Sequence, residues 1–233
     1  MKISAFAISD IVLGKHNVKE LRLDQADKIV KAKKKTYPQV ELVGEDGAFE
    51  ADVIIIPKDA KTDLILRDLD FVETRLAKSP AEKEKIILEK MRIALEKEEF
   101  ISTLGLTEPE KEVVSGYGLL TLKPVAVIDK DELADMGALL AKVLAASGFI
   151  YFLTVGDKEN RAWMIKSGTT AWEAAGAIHS DIQQGFIRAE IISFADFIAC
   201  GGETGAKQAG KMRLEQKEYI MQDADLVNFR FNK

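Results

Sequence analysis

The hydrophobic pattern of the N-terminal half alternates between short apolar runs and longer helical stripes. Residues 2–8, 40–43 and 53–56 are short apolar segments, and the last is uniformly apolar, as expected of a strand covered on both faces. Residues 124–128 form another such segment. Residues 18–35 place apolar side chains at helical spacing and end in lysines, which predicts a helix with a basic C-terminal end. Strands that alternate with helices in this way predict a small α/β layer.

A pair of helices joined by a tight turn is predicted for residues 63–99. Apolar residues recur at helical spacing over residues 66–76 and again over residues 87–95. Between these stripes, the segment Ser79-Pro80-Ala81-Glu82 predicts an N-cap serine, a proline at the first helical position and a glutamate that completes a capping box. The two helices therefore predict an antiparallel hairpin, whose outer faces are dense in Glu, Lys and Arg and are expected to face solvent.

Three further capping boxes predict where later helices begin. The pairs are Thr107 with Glu110, Asp129 with Glu132, and Thr170 with Glu173. The third of these helices is followed by His179, which is expected to hydrogen-bond the last helical carbonyls. Strands are predicted at residues 162–165, 186–192, 218–221 and 226–231, with a short helix at residues 203–209.

The composition and net charge of the chain limit the classes of function that it can have. The chain has 233 residues and a net charge of −5, so no global positive field attracts nucleic acid, and an RNA contact would need a local basic face. Two histidines and the single cysteine, Cys200, are too few and too scattered to predict a metal site. No window approaches the ~20 apolar residues of a membrane span, and no signal peptide is recognised, which favours a cytoplasmic protein. Trp163 and Trp172 are interpreted as core anchors.

The C-terminal segment carries a family resemblance. Its residues read RAWMIKSGTTAWEAAGAIHSDIQQGFIRAEII from Arg161, and GKMRLEQKEYIMQDADLVNFRF up to Phe231. This segment closely resembles the C-terminal TGS domain of YchF-type proteins, the Obg-related branch of P-loop NTPases. The resemblance implies a β-grasp (ubiquitin-like) TGS domain over residues 151–233. It also implies a P-loop-like α/β domain over residues 1–150, with residues 63–99 as its helical hairpin insertion.

The phosphate loop that this resemblance implies is degenerate. A P-loop needs the pattern G-x-x-x-x-G-K-[ST] after a strand, because its glycines let backbone N–H groups wrap phosphate and its hydroxyl holds magnesium. The corresponding stretch runs from Ser9 to His16, so that only Gly14 and Lys15 are kept. Asp10 inside the loop would repel phosphate. Gly14 and Lys15 are therefore expected to be a vestigial nucleotide site.

Two other nucleotide motifs of the family are altered as well. The stretch Val43-Gly44-Glu45-Asp46-Gly47 resembles the D-x-x-G region, but Gly44 stands where the magnesium-positioning aspartate belongs. The strand that begins at Lys123 and Pro124 resembles the one before the base-reading asparagine. That asparagine is absent, and Asp129 in its neighbourhood is equally well explained as a helix N-cap. No cofactor is therefore expected.

These observations lead to a noncatalytic binding protein as the main hypothesis. Its TGS domain would contact RNA, the ribosome or a protein partner. The candidate contact residues are two basic groups, Arg188, Lys211, Arg213 and Arg230 in the C-terminal segment, and Lys31, Lys33, Lys34 and Lys35 after the first predicted helix. The alternative is a residual nucleotide binder or slow ATPase or GTPase that uses Gly14, Lys15 and magnesium. A third hypothesis is an oligomerisation module formed by the hairpin.

Overall fold

The computed structural model describes residues 1–232. The strands within this range are β1 (Lys2–Ala5), β2 (Gly14–Asn17), β3 (Lys34–Thr36), β4 (Gln39–Val43), β5 (Val53–Pro57), β6 (Val125–Ile128), β7 (Phe149–Thr154), β8 (Glu159–Lys166), β9 (Phe186–Ile192), β10 (Arg213–Glu215) and β11 (Asp225–Phe231). The α-helices are α1 (Leu21–Ile29), α2 (Lys61–Ala77), α3 (Glu82–Glu96), α4 (Glu108–Val114), α5 (Met136–Ala146), α6 (Ala171–Ile178), α7 (Ser180–Gln184), α8 (Phe194–Ala199) and α9 (Glu203–Gln208).

Packing divides the chain into two units. Unit 1 consists of Met1–His16 and Val40–Leu139, and unit 2 consists of Asn17–Gln39 together with the chain from Leu140 onward. This division differs from the predicted boundary after residue 150, because α1 and β3 pack with C-terminal elements such as α8 and β8.

Unit 1 is built on a five-stranded sheet of order β2-β4-β1-β5-β6. β1 lies parallel to both β4 and β5, and β6 lies parallel to β5. All five residues of β5 are buried, which confirms the prediction for this uniformly apolar run. Because β4 and β5 follow β1 in sequence but flank it on opposite sides, the carboxyl end of β1 is a topological switch point.

The predicted helical hairpin is present as α2 and α3. Apolar residues of both helices, such as Val72 and Met91, form a buried cluster together with the segments that follow α3. The start of α3 differs from the prediction. Ser79 has a left-handed backbone (φ +53°) and the N-cap is Ala81, without a side-chain cap. The predicted capping box at Ser79 is therefore wrong, since the serine belongs to the turn between the helices.

Two sets of polar contacts fix the segment that leads into β6. The Asp68 carboxylate on α2 is 3% exposed and accepts hydrogen bonds from the backbone N–H groups of Leu120 and Thr121 and from the Thr121 hydroxyl. Lys123 Nζ donates to three backbone carbonyls of the loop before β5. Burial raises the pKa of Asp68 and lowers the pKa of Lys123, because each group is charged in a partly desolvated position.

Unit 2 is built on a six-stranded sheet of order β10-β9-β11-β7-β8-β3. β7 and β8 form an antiparallel hairpin, α6 follows, and the last strand, β11, lies parallel to β7 and antiparallel to β9. This order and these directions are those of a β-grasp, as the resemblance implied. β3 extends the sheet by pairing in parallel with β8, so that Lys34 lies opposite Glu159 and Thr36 opposite Arg161.

Helices cover both faces of this sheet. On one face, the small residues of α6 pack over Phe152, Ile191 and Phe229. On the other face, Leu153 and Leu226 pack in a cluster that also contains buried residues of α1, α8 and α9. The strands alternate between the two clusters because successive side chains point to opposite faces. The capping boxes at Thr107, Asp129 and Thr170 are all confirmed, although the one at Asp129 opens a 3₁₀ helix before α5.

Two local predictions in unit 2 are wrong, and a third, for His179, holds through the backbone only. The helix predicted for residues 18–35 ends at Ile29, and the lysines beyond it continue into β3, because the edge of β8 offers backbone hydrogen bonds to an extended segment. Residues 218–221 make only an isolated bridge, between Ile220 and Thr170, and the edge strand is β10 instead. His179 does hydrogen-bond a carbonyl of the last turn of α6, since its backbone N–H donates to Ala175 at 3.2 Å, while its side chain caps the start of α7 by accepting the N–H of Asp181 at Nδ1, at 3.1 Å.

Candidate functional site

A cavity of about 390 Å³ lies at the carboxyl ends of β1, β5 and β6 in unit 1. Ligands of open α/β sheets bind at such a switch point. The lining residues are Ala7, Ile8, Ser9, Asp10, Pro57, Ile128, Lys130, Leu133 and Ala134. Apart from Ser9, Asp10 and Lys130, these side chains are apolar. The loop after β1 is therefore placed where a phosphate loop would be, but it contributes Ala7, Ile8 and the acidic Asp10 to the lining, with Ser9.

Gly14 and Lys15 do not line this cavity. They begin β2, the edge strand of the sheet, and Lys15 is exposed to solvent. A phosphate loop instead leads from a strand directly into the N-terminus of a helix, whose N–H groups and dipole bind the anion. Gly14 has φ +111°, and a Cβ added to it would meet no atom within 4 Å, so this glycine serves the turn into β2.

The cations at this edge of the sheet are already engaged. Lys58 lies 2.7 Å from Asp129, and Lys130 lies 2.9 Å from Asp59. A nucleoside triphosphate needs several backbone N–H groups and an unpaired lysine around its phosphates, and here Asp10 contributes a negative charge instead. The residues present at the switch point therefore do not fit a triphosphate. Within residues 1–232, no three His, Cys, Asp or Glu side chains are grouped as a metal site.

The first predicted basic group is largely neutralised by carboxylates of unit 2. Lys211 lies 3.4 Å from Asp196, Arg213 lies 3.6 Å from Asp225, and Arg230 lies 2.9 Å from Glu190. Burial acts to raise the pKa of Glu190, but hydrogen bonds from Arg230 and Asn228 outweigh it, so that the pKa is lowered. All four side chains are exposed, and Arg188 is the one that makes no ion pair within residues 1–232; it lies directly opposite Arg230 on the neighbouring strand.

Arg213 has a second set of contacts, which makes it structural. Its guanidinium donates to the Tyr219 hydroxyl at 3.0 Å, and that hydroxyl donates to the buried Asp225 carboxylate at 2.9 Å. Burial and the hydrogen bond to Asp225 raise the pKa of Tyr219 to about 12. The structure therefore brings the four predicted residues to neighbouring strands and helix ends, and of these four only Arg188 makes no ion pair within residues 1–232.

The second predicted basic group lies at the opposite edge of the same sheet. Lys31 and Lys33 precede β3, are exposed, and make no ion pair within the described residues. Lys34 lies 3.2 Å from Glu159. Lys35 faces the other side of the sheet, where its Nζ donates to Asp24 at 2.7 Å; this bond raises the pKa of Lys35. The four lysines are thus divided between two free side chains and two paired ones.

Sequence reasoning did not select Arg161, which completes this edge. Its guanidinium carbon lies 3.8 Å from the centre of the Trp163 ring, directly over the indole. Arg161 and Trp163 are two residues apart on β8 and therefore share one face of the sheet. The sequence shows this two-residue spacing. It does not show how far neighbouring elements cover this face of the sheet, and that coverage decides whether Arg161 can reach a ligand. Trp172, by contrast, is 43% exposed on α6, so its interpretation as a core anchor is wrong.

Comparisons with known proteins find relatives of this chain. The family model described as YchF-GTPase_C, a protein of unknown function (DUF933), matches residues 149–232. The ribosome-binding ATPase YchF of Bacillus subtilis (strain 168) is 33% identical over an alignment of 235 positions, which covers 73% of this chain and 64% of that protein. The ribosome-binding ATPase YchF of Escherichia coli O157:H7 is 44% identical over 139 positions, which cover 59% of this chain and 31% of that protein.

The fold has a counterpart among solved structures. The Schizosaccharomyces pombe YchF GTPase superposes with a TM-score of 0.78 over 97% of both chains, at 18% sequence identity, which supports the shared fold alone. The chain spans less than two thirds of the length of the curated relatives named above. Among the helices of residues 1–232, none is both long enough and apolar enough to cross a bilayer. The sequence matches and the shared architecture agree, and the chain is therefore a YchF-like protein that carries the C-terminal domain of that family over residues 149–232.

Proposed function

We propose that this chain is a noncatalytic YchF-like protein that binds ribosomal RNA through unit 2. The observation that carries the proposal is a contrast between the two units. Unit 2 keeps a complete β-grasp sheet with free cations at its β3 edge, whereas the Gly14-Lys15 pair of unit 1 lies in an edge strand away from the switch-point cavity. The names of the curated relatives, ribosome-binding ATPases, support the ribosome as the partner.

The charge distribution supports RNA in preference to an acidic protein partner. Affinity for a phosphate backbone comes from unpaired lysine and arginine side chains that release counterions. A net charge of −5 opposes nonspecific attraction, so that binding depends on a local surface and on its spacing. A ribosome-binding role also agrees with the cytoplasmic location expected from the sequence. The TGS character of the β-grasp domain, which the resemblance implied, is part of this proposal.

Cosedimentation with purified ribosomes tests the proposal. The full chain should pellet with ribosomes at low salt, should be released as salt is raised, and should behave identically with and without ATP or GTP and magnesium. Nuclease treatment of the ribosomes should abolish the interaction. Pelleting that resists both salt and nuclease would instead indicate a protein partner and would contradict the RNA assignment.

The alternative, residual nucleotide binding or slow hydrolysis, retains one supporting observation, the cavity of about 390 Å³ at the switch point. Titration with a fluorescent nucleotide and magnesium separates the two hypotheses. Micromolar affinity that is lost in Lys15→Ala would refute the noncatalytic proposal and would require the β2 edge to rearrange. Lys166→Ala, which changes an exposed lysine of unit 2, is the control.

A further inference from the structure

We propose that single-stranded RNA binds along the β3–β8 edge of unit 2, with one base stacked on the Arg161 guanidinium and phosphates contacted by Lys31 and Lys33. This inference rests on the proposed RNA-binding function and names its surface. It assigns the contact to one of the two predicted basic groups and adds Arg161, which belongs to neither.

The platform is held in place before any ligand binds. The Trp163 indole donates from Nε1 to the Thr154 hydroxyl at 2.9 Å, and its ring lies nearly parallel to that of Phe152, at 11°. Arg161 covers the indole at 3.8 Å. A guanidinium fixed over an aromatic ring loses little side-chain entropy when a further flat group is added, since its orientation is already set.

The donors of Arg161 remain available. The side chain is half-buried, and none of its N–H groups donates a hydrogen bond within residues 1–232. The nearby carboxylate, Glu159, is occupied, because it accepts the Thr36 hydroxyl at 2.5 Å and pairs with Lys34 at 3.2 Å. Hydrogen bonding from Thr36 lowers the pKa of Glu159, so the carboxylate stays ionised and committed to these partners. Arg161 is thus, within the described chain, a partly exposed guanidinium that stacks on Trp163 and makes no ion pair or donated hydrogen bond.

The lysines supply the electrostatic part of the site. β3 pairs with β8 on one side only and is the outermost strand of the sheet. Lys31 and Lys33 lead into it, and the backbone N–H of Lys33 donates to the carbonyl of Asp157 in the turn before β8. This bond ties the lysine segment to the strand that carries Arg161. Unpaired cations and a flat stacking group are therefore held on adjacent backbone segments.

This combination favours a single strand over a duplex. Bases that stack on aromatic or guanidinium planes must be unstacked from their neighbours, as in single-stranded loops and ends, whereas duplex RNA is recognised by shape and backbone contacts. An acidic protein segment would use the cations but not the stacking plane. The lysine segment lies outside residues 149–232, so this surface combines the matched domain with a strand from residues 34–36.

Fluorescence anisotropy of a short fluorescein-labelled polyuridine with the full chain tests the inference. Arg161→Ala should weaken binding about tenfold, the typical effect of losing one stacked base. Arg161→Lys should lose a similar factor but keep the salt dependence, because the charge remains without the plane. The double variant Lys31→Gln with Lys33→Gln should flatten the slope of log K against log salt by about 1.4, from about 0.7 per phosphate contact.

Two controls make the result specific. Lys166→Gln removes the same charge from the far end of β8, opposite Phe149, and should bind like the wild type. An abasic oligomer of equal length should bind the wild type and Arg161→Lys equally, because both carry the charge and no base is present to stack. Circular dichroism confirms that each variant is folded, and Arg161→Lys preserves most of the side chain if Arg161→Ala is unstable.

Several outcomes would overturn the inference. If the wild type, Arg161→Ala and Arg161→Lys bind polyuridine with equal affinity, the proposed stacking contact is refuted. Tighter binding of a duplex than of the single strand would indicate recognition by shape. Ribosome cosedimentation without any polyuridine binding would refute this binding surface but not the proposed function. Absence of both cosedimentation and polyuridine binding would refute the surface and the proposed function.

Discussion

The buried carboxylate of Asp68 should be the main polar determinant of how the hairpin is attached to unit 1. It is 3% exposed and accepts three hydrogen bonds, from the N–H groups of Leu120 (3.2 Å) and Thr121 (2.7 Å) and from the Thr121 hydroxyl (2.7 Å). Asp68→Ala removes the acceptor and leaves these buried donors without a partner. The segment between α4 and β6 would then lose its fixed position against α2.

The expected magnitude follows from these contacts. A hydrogen bond to a charged group contributes about 1.5–3 kcal/mol, and an unsatisfied buried donor costs about 1–3 kcal/mol. The variant also removes the cost of burying a charge, which offsets part of the loss. We expect Asp68→Ala to lower the free energy of unfolding by about 3 kcal/mol, and Thr121→Val, which removes one of the three bonds, by about 1 kcal/mol.

Urea unfolding followed by circular dichroism measures the change, and hydrogen exchange of peptides that contain Leu120 and Thr121 locates it. Both tryptophans, Trp163 and Trp172, lie in unit 2, so native tryptophan emission should not change. A loss below about 1 kcal/mol, with unchanged exchange at these two amides, would refute the assigned role.

The same carboxylate predicts a pH dependence. Burial raises the pKa of Asp68 above its usual value of 3.8, so the folded state holds the proton more tightly than the unfolded chain. The contribution of this proton is complete below pH 3.8 and is lost as pH rises through the folded-state pKa. The stability difference between the wild type and Asp68→Ala should therefore shrink as pH rises from 3.8 through that pKa and then become constant.

Three further predictions concern other contacts of the fold. Hydrogen bonds from Lys90 and from the α4 cap lower the pKa of Glu110 to about 2, so its stabilising contribution is complete above pH 4.5 and is lost as pH falls through about 2; Glu110→Gln should flatten acid unfolding in that window. Lys123→Met should lower the free energy of unfolding by about 2 kcal/mol in urea titration, because three backbone carbonyls, two of them partly buried, lose their donor. Gly205→Ala would place Cβ 2.0 Å from a carbonyl oxygen and should lower the melting temperature, whereas Gly116→Ala, which meets nothing within 4 Å, should not.

Much of the secondary structure could be predicted because its determinants are local. The capping boxes at Thr107, Asp129 and Thr170 need only residues three positions apart, and the hairpin follows from helical spacing in two adjacent stripes. The residues from Ser79 to Glu82 match the capping-box pattern, but the predicted cap does not form. A tight turn gives Ser79 φ +53° and moves the N-cap to Ala81.

Edge strands and the proposed site could not be predicted in the same way. The three-residue strands β3 and β10 have no periodicity of their own and form because β8 and β9 present unpaired backbone groups. Likewise, ion pairs that join residues distant in sequence decide which cations are free. The sequence presents Arg230 and Lys33 equally as basic residues on or beside a strand. Of these two, only Arg230 forms an ion pair within the described chain, with the carboxylate of Glu190.

The assignment of residues 17–39 to unit 2 limits how this protein can be dissected. The chain passes from unit 1 to unit 2 near residue 16, returns near residue 39 and crosses again near residue 139. A single proteolytic cut therefore cannot release either unit as a continuous fragment. A truncation that starts at residue 151 would remove α1 and β3, expose the buried residues that Leu23 and Ala26 cover, and delete Lys31 and Lys33. A loss of RNA binding by such a fragment would reflect damage to the sheet of unit 2. Point substitutions in the full chain are therefore the more informative experiment.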